Sequence, residues 1–116
     1  MNEFHKKYLI DVLNAIVLIE NFIQSNNDFS VFQNDLKTKS AVERQLSIIG
    51  EAVSKYYKTE NFQELSNAKN IINFRNRLIH AYDSIDDTIV WLVIKKFLPE
   101  LKGEIETILN SNQQNQ

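Results

Sequence analysis

Apolar residues recur along most of this chain at steps of three and four, which is the spacing of one face of an α-helix. Over residues 2–25 the stripe consists of Phe4, Tyr8, Val12, Ala15, Ile19, Phe22 and Ile23. Over residues 36–57 it consists of Val42, Leu46, Ile49, Val53 and Tyr56. The pattern therefore predicts two long amphipathic helices in the first half of the chain.

The breaks between these stripes are polar. Residues 25–28 are expected to end the first helix, because Ser, Asn and Asp side chains compete for backbone hydrogen bonds. Residues 28–36 are predicted to form a connector that Phe29 and Phe32 hold against the bundle. Gly50 lies inside the second helix, where glycine costs about 1 kcal/mol relative to alanine. We expect a glycine there because another helix packs closely against it.

The second half of the chain predicts further helices. Asn61 is a candidate N-cap of a third helix, with Glu64 as its capping-box partner, and this helix is expected to end at residues 80–82. Residues 83–87 are expected to form a turn that caps a fourth helix over about 86–98. Pro99 is expected to open or kink a last segment that runs to about residue 110. The polar tail 111–116 is expected to be disordered.

Composition narrows the fold class. The chain has 116 residues, enough for a single domain with one core, here placed over residues 1–110. With only two glycines and one proline it is poor in turn-forming residues, which favours long helices over a sandwich or barrel. The prediction is an all-α, four- to five-helix up-and-down bundle.

Composition also restricts the chemistry. The absence of cysteine excludes disulfides, thiolate metal sites and cysteine nucleophiles. A formal net charge of −2 means that any nucleic-acid contact must be local, or must use a positive patch created by assembly. No signal peptide or membrane-spanning run is visible, so no membrane association is expected and the cytoplasm is the expected compartment.

One segment concentrates polar groups at the end of the third predicted helix. It reads Arg75-Asn76-Arg77-Leu78-Ile79-His80-Ala81-Tyr82. Asn76 and His80 lie one helical turn apart, so the amide could hold one ring nitrogen of the imidazole and fix its tautomer. Arg75 lies about 140° round the helix from His80. The two converge on one ligand only if the helix opens near its end or if the arginine stem wraps round it.

These residue types suit cleavage of RNA by its own 2′-hydroxyl. That reaction needs a base, an acid and positive charge on the phosphorane, which His80 and an arginine supply without a metal. One histidine per chain is too few for both proton transfers. A homodimer would bring two copies of His80 and four arginines to one cleft, which would also create the missing positive patch.

Plainer interpretations stand beside this one. Basic residues near a helix C-terminus are favoured by the helix dipole alone, and Tyr82 is expected more often as a core phenol. His5 is assigned to the solvated face of the first helix, and Trp91 to the core rather than to a base-stacking platform. The polar stripe Arg44, Ser47, Glu51 and Lys55 is either a buried ion-pair row or a solvated face.

The segment Arg75 to Tyr82 resembles the R-x-x-x-x-H-x-Y motif of HepT-like toxins in the HEPN superfamily. Similarity extends to residues 32–38, 41–44 and 48–52, which look like the family's second helix, and to Ile85-Asp86, Trp91 and residues 98–101 further on. The resemblance covers about residues 4–109. The chain departs from the family at residues 65–69, which lack the Pro-Trp pair that many relatives carry, and at Phe74, which replaces a common Met. These departures leave open the structure of the cleft rim and therefore which RNA is bound.

The resemblance implies a dimeric bundle that cleaves RNA, either tRNA or mRNA, without a metal or other cofactor. It implies that Arg75 stabilises the phosphorane, that His80 transfers protons, and that Asn76 positions His80, with Arg77 in support. It further implies a minimal nucleotidyltransferase antitoxin as partner, which adenylylates Tyr82. Two alternatives remain: a non-catalytic HEPN module that binds a nucleotide or a nucleotidyltransferase, and a structural dimerisation domain with a decayed site.

Overall fold

The chain folds into a helical bundle, which a computed structural model describes for residues 3–24, 27–80 and 86–114. Every regular element in these ranges is a helix, which confirms the predicted all-α class. The elements are α1 (Glu3–Ile23), α2 (Phe29–Asn34), α3 (Leu36–Tyr57), α4 (Ala68–His80), α5 (Asp87–Leu92), a π-helical turn (Val93–Phe97) and α6 (Leu98–Gln114).

The long helices run antiparallel to their neighbours. His5 at the start of α1 lies against Tyr56 at the end of α3, with 5.6 Å between ring centroids. The Tyr57 hydroxyl at the end of α3 accepts a hydrogen bond from the backbone N–H of Leu65, just before α4 begins. Lys102 early in α6 pairs with Glu20 late in α1 at 3.0 Å. These contacts define the up-and-down arrangement.

The apolar faces of the helices meet in one core. Its fully buried members include Leu9, Val12, Ile19, Val42, Ile49, Val53, Leu101 and Ile105. Burying a side chain of this kind stabilises the fold by about 1.5–3 kcal/mol. No described helix is apolar over enough residues to cross a membrane.

The assignment of His5 to the solvated face of α1 was wrong. His5 is only 4% exposed, whereas Phe4, which was placed on the buried stripe, is 64% exposed. The buried face of α1 starts one residue later than expected, because His5 lies one turn before the buried Leu9. His5 therefore closes the end of the core against Tyr56.

The connector and Trp91 behave as predicted. Phe32 is fully buried, and its ring centroid lies 5.1 Å from that of Trp91. Phe29 meets the same indole edge-on at 5.9 Å. Asp35 caps α3 by accepting a hydrogen bond from the backbone N–H of Thr38 at 3.0 Å. Trp91 is therefore partly buried and packs against the core.

The expected N-cap at Asn61 is incorrect, because α4 begins only at Ala68. Asn61 has a φ of 60°, in the left-handed region that asparagine tolerates in turns. The Tyr56 hydroxyl accepts a hydrogen bond from the Gln63 N–H (2.8 Å) and donates one to the Gln63 carbonyl (2.9 Å). These bonds satisfy backbone groups that a helix would otherwise satisfy, so the α3–α4 connection stays irregular.

The C-terminal part carries a widened turn ahead of its proline. The Leu98 N–H bonds the Val93 carbonyl, five residues back, which is the π-helical pattern. Pro99 has no N–H and crowds the carbonyl four residues before it, so a wider turn there accommodates its ring. Pro99 thus lies in the first turn of α6, as expected. α6 runs to Gln114, further than the expected end near residue 110.

Candidate active site

Helix α4 carries the described part of the arginine–histidine segment. Its apolar face is buried through Ala68, Ile71 and Phe74, so its register against the core is fixed. The basic residues Arg77 and His80 lie in its last turn, where the helix dipole favours positive charge. The packing of the first two turns therefore determines the directions in which the polar side chains near the end project.

Helices α3 and α4 approach most closely where Gly50 meets Arg75. A methyl group built on Gly50 would lie 2.2 Å from Cβ of Arg75 and 2.6 Å from its Cγ. Real carbon atoms do not approach so closely, so no other residue fits at position 50 in this geometry. The expectation that Gly50 permits close helix packing is confirmed, and the residue that it accommodates is the candidate phosphate-binding arginine.

The Arg75 side chain is held at its stem by the contact with Gly50, and its guanidinium makes one hydrogen bond with a described residue. Nη1 donates to Oδ1 of Asn76 over 3.5 Å, which is a long and therefore weak hydrogen bond. Nε is buried and finds no acceptor among the described residues. A buried donor without an acceptor costs about 1–3 kcal/mol.

Asn76 lies between Arg75 and His80 on the helix surface, about 100° from the first and 40° from the second. The guanidinium reaches toward Asn76, so it turns toward the side of α4 that carries His80. This long hydrogen bond to the neighbouring residue leaves the convergence of Arg75 and His80 a prediction. The expected hydrogen bond between Asn76 and His80 is not formed, since the described bond of Asn76 is to Arg75.

His80 is exposed and is the last residue of α4. It makes no hydrogen bond or ion pair with another described residue, so its imidazole is accessible to a ligand. Arg77 is also exposed, about 160° from Arg75. Tyr82 and residues 83–85 of the expected turn lie outside the described residues. In the described remainder of that turn, Asp86 caps α5 by accepting a hydrogen bond from the Thr88 N–H at 2.9 Å.

The polar stripe on α3 is solvated rather than buried. Glu51 and Lys55 pair one turn apart at 3.2 Å, and both side chains are about half exposed. Arg44 is exposed as well. An exposed pair of this kind stabilises a helix by about 0.3–0.5 kcal/mol. Of the two interpretations of this stripe, the solvated face is correct.

A charged cluster that the sequence did not reveal lies near the end of the bundle that carries His80. Lys39 on α3 pairs with Asp87 on α5 at 3.0 Å, and both side chains are about four-fifths buried. Burial raises the pKa of Glu43, and the charge of Asp87 raises it further, while Lys39 opposes both. Among the described residues no group of three or more His, Asp or Glu side chains is placed to hold a metal ion.

The fold and the polar end of α4 define a small helical protein that presents an arginine and a histidine from one helix. The family model for ribonuclease HepT-like proteins matches residues 12–108. The chain therefore belongs to the HepT-like family of the HEPN superfamily, which confirms the resemblance drawn from the motif and its flanking blocks.

Relatives match nearly the full length of the chain. A Thermococcus cleftensis protein described as "Probable ribonuclease HepT" is 38% identical over 111 residues, covering 93% of this chain and 98% of the relative. Two Methanocaldococcus jannaschii proteins carry RNase names. One is 37% identical over 106 residues (90% of this chain, 86% of the relative), and the other 33% over 105 residues (89% and 94%). No solved structure matches the chain.

Proposed function

We propose that this protein is a metal-independent endoribonuclease toxin in which Arg75 and His80 are the catalytic residues. One observation carries the proposal. In a chain of the HepT-like ribonuclease family, Gly50 fixes the stem of Arg75 while the guanidinium turns toward the side of α4 that presents an accessible His80. A half-buried guanidinium and an exposed imidazole near the same helix end suit a phosphodiester.

The proposed reaction needs only groups of the protein and the substrate. The 2′-oxygen of RNA attacks the adjacent phosphorus while a base removes its proton. The bond to the 5′-oxygen breaks and an acid protonates the leaving oxygen, so the products are a 2′,3′-cyclic phosphate and a 5′-hydroxyl. A histidine serves as base or acid near neutral pH, and Arg75 stabilises the charge on the phosphorane.

Two proton transfers require two groups, and we extend the proposal to a homodimer that joins two copies of His80. Exposed apolar side chains near this end support a protein contact. Ile79, beside His80, is 45% exposed, and Leu36 at the start of α3 is 74% exposed. Two copies of Arg75 and Arg77 would give the cleft a positive charge that the single chain, at −2 overall, does not have.

We further propose that a minimal nucleotidyltransferase antitoxin silences the protein by adenylylating Tyr82. Tyr82 follows His80 by two positions, so a nucleotide attached to it would lie near the site. The added group would bring bulk and negative charge to a place that binds phosphate, which would exclude RNA by sterics and repulsion. Intact-mass measurement after incubation with the nucleotidyltransferase and ATP would show the added AMP, and Tyr82→Phe would not acquire it.

Cleavage of total tRNA and mRNA in excess EDTA tests the enzymatic part of the proposal. Unmodified protein should cut, and His80→Ala should lose at least ~100-fold in rate. His80 is exposed, so its replacement should leave stability within about 0.5 kcal/mol. Lys6→Ala, at the opposite end of the bundle, is the control variant and should cut at the parent rate.

Failure to cleave would favour the non-catalytic alternative. If unmodified, folded parent protein leaves every RNA intact, yet binds RNA or nucleotides through Arg75, the chain is a nucleotide- or nucleotidyltransferase-binding module. In that case Arg75 and His80 hold phosphate without breaking it.

A further inference from the structure

Helix α4 has a second polar feature that the proposed chemistry does not use. Asparagines recur at every third position, Asn67, Asn70, Asn73 and Asn76. Asparagine is a weaker helix former than alanine at interior positions. Asn67 bonds Glu100 at 2.9 Å and Asn76 contacts Arg75. Asn70 and Asn73 are exposed and make no side-chain hydrogen bond with another described residue.

These two amides stand at the mouth of a cavity. The cavity has a volume of about 240 Å³ and lies between α3, α4, α5, the π-helical turn and the start of α6. Its wall is apolar and includes Leu46, Phe74, Ile89 and Phe97, whereas its polar lining consists of Asn70, Asn73 and Arg77. Because the polar residues are exposed and Phe74 is buried, the cavity opens on the polar side of α4.

The mouth of the cavity and His80 lie on one strip of the helix surface. Asn70, Asn73, Arg77 and His80 span about 80° of the α4 circumference. Asn73 and His80 are two turns apart, about 10 Å along the axis. Two helical turns are longer than one nucleotide step, but a base projects sideways from the backbone, so a strand bound at His80 can place a nearby base in the cavity.

Size and lining indicate the class of ligand. The volume is several times the roughly 30 Å³ of a water molecule and below the roughly 300–1,000 Å³ of pockets for drug-sized ligands. Two phenylalanines offer apolar, aromatic walls, carboxamides offer both a donor and an acceptor, and Arg77 offers positive charge. A flat heteroaromatic ring with hydrogen-bonding edges, attached to a phosphate, satisfies all three features.

We propose that this cavity receives one nucleobase of the RNA substrate, adjacent to the bond that is cleaved, and that Asn70 and Asn73 read its edge. The inference rests on the proposed ribonuclease function and assigns it a base-specificity pocket. Unpaired bases are typically recognised by insertion between apolar or aromatic side chains and by hydrogen bonds to their edges. The protein should therefore act on single-stranded positions with a preference for one base.

Chimeric oligonucleotides with a single ribonucleotide in a deoxy strand restrict cleavage to one bond and test this preference. The parent should show at least a ~10-fold range in kcat/KM when the base beside that bond is varied. Asn73→Ala should compress that range toward unity, and Asn73→Asp should shift it toward bases that donate from an exocyclic amine. Asn14→Ala, an exposed asparagine on α1, is the matched control and should keep the parent's range.

A binding measurement on His80→Ala separates the pocket from the catalytic proposal. Each of the four ribonucleoside 5′-monophosphates is titrated while the side-chain amide signals of Asn70 and Asn73 are followed by NMR. Selective shifts, combined with a parent protein that cleaves no RNA, would support the pocket and contradict the ribonuclease. Cleavage without base preference, unchanged by Asn73→Ala, would overturn the pocket and leave the ribonuclease intact. If monophosphates bind at Asn70 and Asn73 but cleavage of the oligonucleotides does not depend on the base beside the bond, the cavity would be a site for free nucleotides. That result would also overturn the proposal.

Discussion

The stem of Arg75 packs against the bare backbone of Gly50, where a methyl group would lie 2.2 Å from the arginine Cβ. We expect Gly50→Ala to destabilise the protein by about 1–3 kcal/mol, because the clash outweighs the gain of about 1 kcal/mol in helix propensity. It should also lower the cleavage rate by displacing Arg75. Urea unfolding and the EDTA cleavage assay measure the two effects.

Gly103 provides the control for this prediction. It lies in α6, and a methyl group there would meet nothing within 4 Å. Gly103→Ala should therefore stabilise the fold by up to about 1 kcal/mol and leave cleavage unchanged. If the two alanine variants changed stability equally, close packing at Gly50 would not be the reason for its glycine.

The hydroxyl of Tyr56 organises the connection that positions the start of α4. Tyr56→Phe would leave the N–H and carbonyl of Gln63 without their partner, since the phenol is the group that both contact. We expect a loss of about 1–3 kcal/mol in the free energy of unfolding. Tyr8→Phe, whose hydroxyl bonds no other described residue, should cost under about 0.5 kcal/mol. Equal effects would mean that the hydroxyl of Tyr56 contributes nothing specific.

Glu43 should make stability depend on pH. Its pKa is raised by burial and by Asp87, so the folded state binds its proton more tightly than the unfolded state does. Stability from this group is therefore present at low pH and is lost as the pH rises through the folded pKa. Glu43→Gln should stabilise the protein at pH 7 by less than about 1 kcal/mol and show little gain at pH 4. Urea midpoints that differ equally at both pH values would contradict this account.

The two arginines of the segment should respond differently to replacement by lysine. Arg75 is half-buried with a planar fork directed along the helix surface, so Arg75→Lys should reduce kcat/KM by at least ~10-fold although the charge is kept. Arg77 is exposed, and Arg77→Lys should reduce it by only about 3-fold. The test is the kcat/KM of both variants on the same oligonucleotide. A larger loss in Arg77→Lys than in Arg75→Lys would make Arg77, rather than Arg75, the residue that stabilises the phosphorane.

Local signals explain why most of the fold can be predicted from the sequence. The bounds of α3 follow from its apolar stripe, and its packing against α4 follows from a glycine inside a helix. The motif at residues 75–82 and its flanking blocks identify the family. The helical geometry left two arrangements of Arg75 open, and its convergence with His80 stays a prediction.

The remaining features depend on contacts between distant residues. The burial of His5 is settled by Tyr56, which is 51 positions away in sequence. The late start of α4 depends on tyrosine hydroxyls that capture the backbone of the turn. The cavity is formed by five elements at once, so no single stripe indicates it, although the asparagines at every third position were a visible signal at its mouth.

The central claim is cleavage of RNA by its own 2′-hydroxyl at a site that contains His80. It is tested most directly by an oligonucleotide with one deoxy substitution at the nucleotide whose bond is cut, assayed in EDTA with mass analysis of the products. We predict that the all-ribose strand yields a 2′,3′-cyclic phosphate and a 5′-hydroxyl, and that the deoxy strand and the His80→Ala variant yield no product at that bond. Cleavage of the deoxy strand, or a 5′-phosphate on the product, would contradict the account.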